Sequence, residues 1–369
     1  MIIRDVIHGD IKIENELIKD LIETKEFQRL RNIKQLGLTY IIYPTTEHSR
    51  FMHCLGVYHL AKKMVNVLYE KQKFNHDDIY ALVIACLLHD LGHGPFSHTS
   101  EEFFGFDHEK KTIEIITNDK TEINQVLKKY KNDEFIEKIV LFIKKNHPDP
   151  VLNKVLSNTI DVDRMDYLLR DSYFAGVSYG EVDIDRIFSV IDVYNNQLVF
   201  LEKGIKTIED FIMSRYNMFL QVYLNKKALC YEVLVSNIFK RINELILDNF
   251  QFKTDLKKLL PLINKNYSIV QYLETNDNVF LNIIEDLENE KDKKLQILVK
   301  AFINKKIIYD ESQKFNYHFQ TKKYSKKIYN ESIMIKTKND IIKLEEISPL
   351  TKFIKNDIKI EQEIIDFYV

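Results

Sequence analysis

Apolar residues recur three and four positions apart over residues 17–36, 51–68, 77–88, 135–143, 156–169 and 208–246, the spacing that lines one face of a helix. The first two thirds of the chain therefore read as a helical bundle. Two stretches break the period. Residues 190–201 and 332–347 alternate on either side of Asn195-Asn196 and Lys338-Asn339-Asp340, the pattern of small β-hairpins. The 146–150 segment holds two prolines and joins two helices, and Ser49 is placed to cap the helix after it. Past about residue 250 the chain turns rich in Lys, Asn and Glu, and residues 311–331 read as a surface loop. The expectation is a mainly α fold with small β-hairpins: a helical core over 1–245, and a mixed α/β C-terminal region over 246–369 serving oligomerisation or regulation.

Composition narrows the class. Of 369 residues only 9 are Gly and 6 Pro, and no Gly follows Gly204, which favours long helices over an all-β sandwich. Lys and Arg number 53 against 55 Asp and Glu, so the net charge of −2 argues against a nucleic-acid partner. The longest apolar run, 79–88, has 10 residues, about half of the roughly 18–20 needed to cross a bilayer. No membrane association is expected. Cys54, Cys86 and Cys230 form no C-x-x-C pair, and Arg4 and Asp5 interrupt the first apolar residues, so a cytoplasmic, reducing location is expected. Histidine has the informative distribution: eight of eleven lie between His48 and His108.

The apolar helix 77–88 runs directly into H-D-L-G-H-G-P-F-S-H at 89–98, where glycines and a proline stop it. A helix C-terminus carries about half a negative charge, so an end that already bears His89 and Asp90 favours a cation. Imidazole nitrogen with carboxylate oxygen suits divalent transition metals and, with more oxygen, Mg²⁺ or Mn²⁺. His53 lies in R-F-M-H at 50–53, one turn from Arg50, whose guanidinium suits phosphate. In D-V-D-R-M-D-Y-L-L-R-D at 161–171, Asp163, Asp166, Tyr167, Arg170 and Asp171 share one helix face, falling within about 140° of arc at about 100° per residue. Taken singly, each motif has a plain structural reading: a surface helix end, a hydrogen-bonded core histidine, a solvated polar stripe. The ten-residue histidine string makes an accidental origin improbable.

Together, R-F-x-H, H-D-L-G-H-G-P-F-S-H and D-V-D-x-x-D-Y-x-x-R-D resemble the HD-domain deoxynucleoside triphosphate triphosphohydrolases. The likeness begins at D-x-I-H-G (5–9), continues through E-F-Q-R-L-R-x-I-K-Q-L-G (26–37) and fades near residue 240. It implies an HD-domain helical bundle in which His53, His89, Asp90 and Asp163 ligate one divalent metal (Mg, Mn, Fe or Zn) that acidifies water and polarises phosphorus. It also implies attack on the α-phosphorus of a deoxynucleotide, releasing a nucleoside and intact triphosphate. His93, His98 and His108 match further active-site histidines, with His98 or His108 as the acid that protonates the leaving 5′-oxygen. Glu101 stands where a relative has Asp in that network, and Phe219 where it has His. By the same resemblance Arg50, Arg164 and Arg215 fall at phosphate-contacting positions. Gln35, Tyr167 and Asp171 match residues that hold the 3′-hydroxyl, and Tyr223 matches an aromatic that disfavours ribose. Arg4, Glu23, Gln28 and Arg31 fall at or near a nucleotide-activator site, Glu23 in place of Asp. A homo-oligomer, dimer or tetramer, is implied as well.

Two other readings compete. One is an HD phosphohydrolase acting on a monophosphate, a cyclic dinucleotide or an alarmone. The other is a nucleotide- or nucleic-acid-binding oligomer whose hydrolysis is weak.

Overall fold

In the computed structural model, which describes residues 1–309, 316–329, 331–357 and 359–369, the apolar run 17–36 is not one helix. Thr24 takes an extended backbone (φ −61°, ψ 149°) that ends α1 (Glu16–Glu23), and its hydroxyl accepts from the Phe27 amide to cap α2 (Lys25–Arg29). A threonine at a cap outcompetes the helical period because its side chain satisfies an otherwise orphaned amide.

The bundle continues through α3 (Arg50–Lys71), α4 (His76–Leu88), α5 (His98–Phe104), α6 (His108–Thr117), α7 (Glu122–Tyr130) and α8 (Asp133–Ile143). After the proline-bearing joint come α9 (Pro150–Leu156), α10 (Val162–Ala175), α11 (Ile184–Val190), α12 (Ile205–Met218) and α13 (Lys226–Leu247). The predicted helix 156–169 begins only at Val162, because the Asp161 carboxylate accepts from the Arg164 amide and caps α10 there. The long run 208–246 is cut by a π-turn at Phe219–Tyr223 and restarts behind an Asn225 cap. Ser49 precedes α3 as expected, yet its side chain makes no capping bond. Helix α4 is buried from Ala81 to Leu88 and packs between α3 and α8, while α10 crosses α3. These three contacts bring His53, His89 and Asp163 together.

Both expected hairpins form where the alternation placed them, and a further one, not expected, opens the chain. β1 (Ile2–Asp5) pairs with β2 (Gly9–Lys12), and β3 (Ile191–Tyr194) pairs with β4 (Gln197–Leu201) across Asn195 and Asn196, both at positive φ. Asparagine tolerates that conformation. Of the expected loop 311–331, residues 311–315 and 330 lie outside the described residues. The remainder is not simply a loop: it carries β5 (His318–Gln320), β6 (Tyr324–Lys326) and the buried Ile328 and Tyr329. β7 (Met334–Lys336) and β8 (Ile341–Lys343) form the second predicted hairpin, and β7 adds in parallel to β4. β9 (Ile360–Gln362) pairs with β6, and β10 (Asp366–Tyr368) with β5.

The C-terminal chain also reaches the histidine string. The Asp277 carboxylate accepts from the amides of Lys34 (2.9 Å) and Phe96 (2.8 Å), and Arg29 Nε donates to the Thr275 carbonyl (2.8 Å). The main apolar cluster extends from Ile11 to Val369, and a small second one gathers Phe219, Leu224, Ile328 and Ile360. Among the described residues no helix is long and apolar enough to cross a membrane.

Candidate active site

His89 ends α4 with its Nδ1 2.9 Å from the Cys86 carbonyl. A carbonyl only accepts, so Nδ1 carries the proton and Nε2 presents a lone pair. His53 on α3 is fixed in the same way: Nδ1 donates to Asp166 Oδ2 at 2.8 Å. The two Nε2 atoms lie 3.0 Å (His53) and 3.5 Å (His89) from Asp163 Oδ1 on the first turn of α10. Asp90 completes the group, with Oδ1 3.4 Å from His89 Nε2 and Oδ2 3.7 Å from His53 Nε2. Acceptor atoms therefore converge on one point, and a shared cation or a proton is needed to hold them there. Burial by itself would strip a proton from His53, yet its bonds to Asp163 and Asp166 raise it to about 10. Burial would raise Asp163, and the bond from His53 with the adjacent His89 ring outweighs this and holds it well below the usual carboxylate range. His89 Nε2 is buried with no hydrogen-bond partner. An orphaned imidazole nitrogen beside two carboxylates is the donor set a divalent transition metal takes, so the residues present fit such an ion.

Asp166 organises the back of this site. Fully buried, it also accepts from His8 Nε2 (2.6 Å) and takes two 2.9 Å bonds from Arg170, which reaches on to Asp5 (2.8 Å). Gly56 on α3 leaves room for this pair: a Cβ there would lie 1.8 Å from Asp166 Oδ1 and 2.5 Å from Arg170 Nη2. The polar stripe of α10 thus divides, Asp163 turned toward the convergent atoms and Asp166 with Arg170 turned inward to orient His53. Sequence reasoning placed Asp166 and Arg170 on the stripe without that role, and met Asp5 and His8 only as part of D-x-I-H-G. The available signal was the pairing of a buried-facing Asp and Arg one helical turn apart.

A second cluster stands beside the first. Glu101 on α5 accepts from His98 Nδ1 (2.7 Å), from His108 Nδ1 (2.6 Å) and from the His108 amide (2.8 Å). Burial would raise Glu101, but the bonds from His108 and His98 prevail and hold it well below its ordinary value. His93 stacks on His108 at 3.9 Å between ring centres and sets Nε2 3.3 Å from Asp90 Oδ1. Burial and the neighbouring Arg50 push His93 well down, so it is neutral. The His98 side chain is 74% exposed and that of His108 26%. A cavity of about 130 Å³ joins His89, Asp90 and Asp163 to His108, Arg164 and Lys145.

The three candidate phosphate arginines differ in their engagement. Arg50 is committed to Asp90 (2.5 Å), to Ser97 Oγ (3.0 Å) and to the Gln35 carbonyl (3.4 Å). Arg164 donates through Nη1 to Asp161 and the Asn158 carbonyl, and Arg215 through Nη1 to the Ile328 carbonyl at 2.7 Å. The Nε atoms of Arg164 and Arg215 are buried without a partner, as is Gln35 Oε1. Asp171 accepts from Tyr223 Oη (2.9 Å) and from His48 Nε2 (2.7 Å), and Tyr223 meets the rings of Tyr167 and Phe219 edge-on. His48 is a second residue that sequence reasoning missed. The activator candidates lie elsewhere: Arg31 Nε donates to Gln28 Oε1 (2.7 Å) and covers the Phe51 ring, Arg4 pairs with Asp10 on the exposed hairpin, and Glu23 is exposed at the end of α1.

Residues 50–171 match the family model of the HD domain. The chain is 38% identical over 307 residues to the uncharacterized protein YwfO of Bacillus subtilis, covering 83% of this chain and 70% of that protein. It is 31% identical over 316 residues to the deoxynucleoside triphosphate triphosphohydrolase SAMHD1 homolog of Dictyostelium discoideum, covering 80% of this chain and 57% of that protein, so it spans little more than half of that relative. The crystal structure of a phosphohydrolase from Bacteroides thetaiotaomicron superimposes with a TM-score of 0.86 at 26% identity, covering 100% of this chain and 99% of the other. The chain belongs to the HD-domain phosphohydrolase superfamily.

Proposed function

We propose that this protein hydrolyses deoxynucleoside triphosphates to a deoxynucleoside and inorganic triphosphate. The observation that carries the reading is the pair of buried, unpartnered guanidinium donors: Arg164 Nε, whose side chain lines the cavity of His89, Asp90 and Asp163, and Arg215 Nε, which with Arg164 acts on the intervening Tyr167. A buried donor left unmade costs about 1–3 kcal/mol, and phosphate oxygens, charged and able to bridge two guanidinium nitrogens, are the acceptors that remove this cost best. The triphosphohydrolase name of the Dictyostelium relative supports the same substrate class.

In this reading His53, His89, Asp90 and Asp163 hold one divalent ion, which supplies acidified water and charge neutralisation at phosphorus. Arg164 and Arg215 bind phosphate oxygens. Asp171, oriented by His48 and Tyr223, accepts from the sugar 3′-hydroxyl, and the Tyr223 ring crowds the 2′ carbon. Water adds to the α-phosphorus, the bond from phosphorus to the 5′-oxygen breaks, and that oxygen takes a proton. His108 is the better donor of the two candidates: it lines the cavity that reaches Asp163, whereas the His98 side chain is mostly exposed. Its Nδ1 is committed to Glu101, which fixes the ring and leaves Nε2 facing the site as the atom that delivers the proton.

The test is to incubate the protein with each dNTP and NTP, singly and in pairs, with Mg²⁺ or Mn²⁺, and separate the products by ion exchange. Nucleoside plus triphosphate is the expected outcome. Activity confined to mixtures would add an activator site. Release of monophosphate or pyrophosphate would overturn the assignment.

A further inference from the structure

Ile328 occupies the phosphate end of the proposed nucleotide pocket. Its carbonyl accepts a hydrogen bond from Arg215 Nη1, and its side chain, 2% exposed, packs with Phe219, Leu224 and Ile360 against Tyr223. Two of these neighbours, Phe219 and Tyr223, belong to the π-turn that follows Arg215. The chain thus holds one of its own peptide groups where the substrate's phosphates are proposed to bind.

We infer that the paired strands β6 and β9, with Ile360 opening β9 and Ile328 two residues past the end of β6, form an internal competitor that nucleotide phosphates displace from Arg215. This rests on the phosphate role proposed for Arg215. Three observations favour displacement over a permanent wall. First, the carbonyl satisfies Arg215 only in part, leaving Nε unpartnered, whereas a phosphate can engage Nε and Nη together and carries full charge. Second, Ile328 and Ile360 lie in a small apolar cluster separate from the main core. Third, the next residue is a firm anchor. Tyr329 is 1% exposed in the main core, its hydroxyl donates to Glu345 Oε2 (2.7 Å) and it accepts from the Ile333 amide (3.0 Å). The boundary between the small cluster and the main core falls between Ile328 and Tyr329, so the strand pair can lift without disturbing the core. The contact keeps the clamp shut until a polyphosphate competes for it, and sets the apparent affinity through the fraction of open chains.

The probe is inorganic triphosphate, which carries no sugar or base and tests the clamp apart from catalysis. Binding is measured by calorimetry on the full chain and on Ile328→Ser and Ile360→Ser, each of which weakens the closed state without touching the clamp residues. The expected result is a Kd lowered about tenfold in each variant. In the unsubstituted chain triphosphate should speed amide hydrogen exchange in β6 and β9 and leave the Ile333 amide unchanged. Equal or weaker binding in both variants, exchange slowed in β6 and β9, or no binding of triphosphate by any form would each overturn the inference. A chain that behaves as expected but releases no triphosphate from dNTPs overturns the substrate assignment alone. One that turns over dNTPs while the variants bind triphosphate unchanged overturns only the displacement.

Discussion

His53 Nδ1 donates to Asp166 Oδ2 at 2.8 Å, and Asp166 is in turn gripped by Arg170 through two 2.9 Å bonds. Burial alone would protonate Asp166, but Arg170 and His53 hold it well below its ordinary value, so it is an anion that fixes the His53 tautomer. Groups of this kind behind a metal-binding imidazole are worth about 10–100-fold in metal affinity. Asp166→Asn keeps the shape and removes the charge, and should weaken Mn²⁺ or Zn²⁺ binding by that factor in equilibrium dialysis. Unchanged affinity would show that Asp166 serves Arg170 alone.

The two polar clusters should separate under substitution. Asp163→Ala removes the oxygen that both Nε2 atoms approach, at 3.0 and 3.5 Å, and is expected to lose bound metal and turnover together. His108→Gln leaves the ligand set intact and should retain metal while slowing kcat by about 10²–10⁴-fold, the usual contribution of a general acid. Metal content by elemental analysis beside product formation distinguishes them. Full metal content in Asp163→Ala would remove Asp163 from the ligand set.

The motifs of the candidate site were legible because they are local strings whose helix phase is fixed by a few residues: His89-Asp90 at a helix end, Asp163 after an Asp cap. Helix-core positions such as Ala81 to Leu88 were legible for the same reason. What failed to show was long-range. Nothing near Arg215 in sequence announces the Ile328 carbonyl, and nothing near Asp171 selects His48 as its partner. Residues 318–329 misled because exposed-looking composition says nothing of the two apolar side chains, Ile328 and Tyr329, that the fold buries. Helices α5 to α7 are short, and the capping residues of α6 and α7, Asp107 and Thr121, were a signal available for two of them.

Gly56 should be intolerant of the smallest enlargement. Alanine ordinarily stabilises a helix interior over glycine by about 1 kcal/mol, but here its Cβ would sit 1.8 Å from Asp166 Oδ1, which cannot retreat without leaving His53 or Arg170. Overpacking of this kind costs about 1–3 kcal/mol. Gly56→Ala is therefore expected to lower the urea midpoint and to weaken metal binding in parallel. A midpoint equal to or above that of the unsubstituted chain would mean that α3 and α10 move apart at little cost.

Glu232 on α13 lines a cavity of about 510 Å³ with Phe103, Lys240, His318 and Lys322, away from the proposed chemistry. Burial pushes its carboxyl up to about 7, whereas an unfolded chain holds glutamate near about 4.3. Between these values the unfolded state releases a proton that the folded state keeps, so stability falls as pH rises from about 4.5 to about 7 and then levels. Glutamine does not titrate. Glu232→Gln should match the unsubstituted chain at pH 4.5, gain on it through pH 7, and remain ahead by about 1 kcal/mol at pH 8, less than a shift of this size would give in full because the side chain is partly open to solvent. Urea unfolding at pH 4.5, 6 and 8 measures the difference. An advantage that is the same at all three values would trace to packing, and a disadvantage at pH 8 would show that Glu232 is ionised and paired with Lys240 or Lys322.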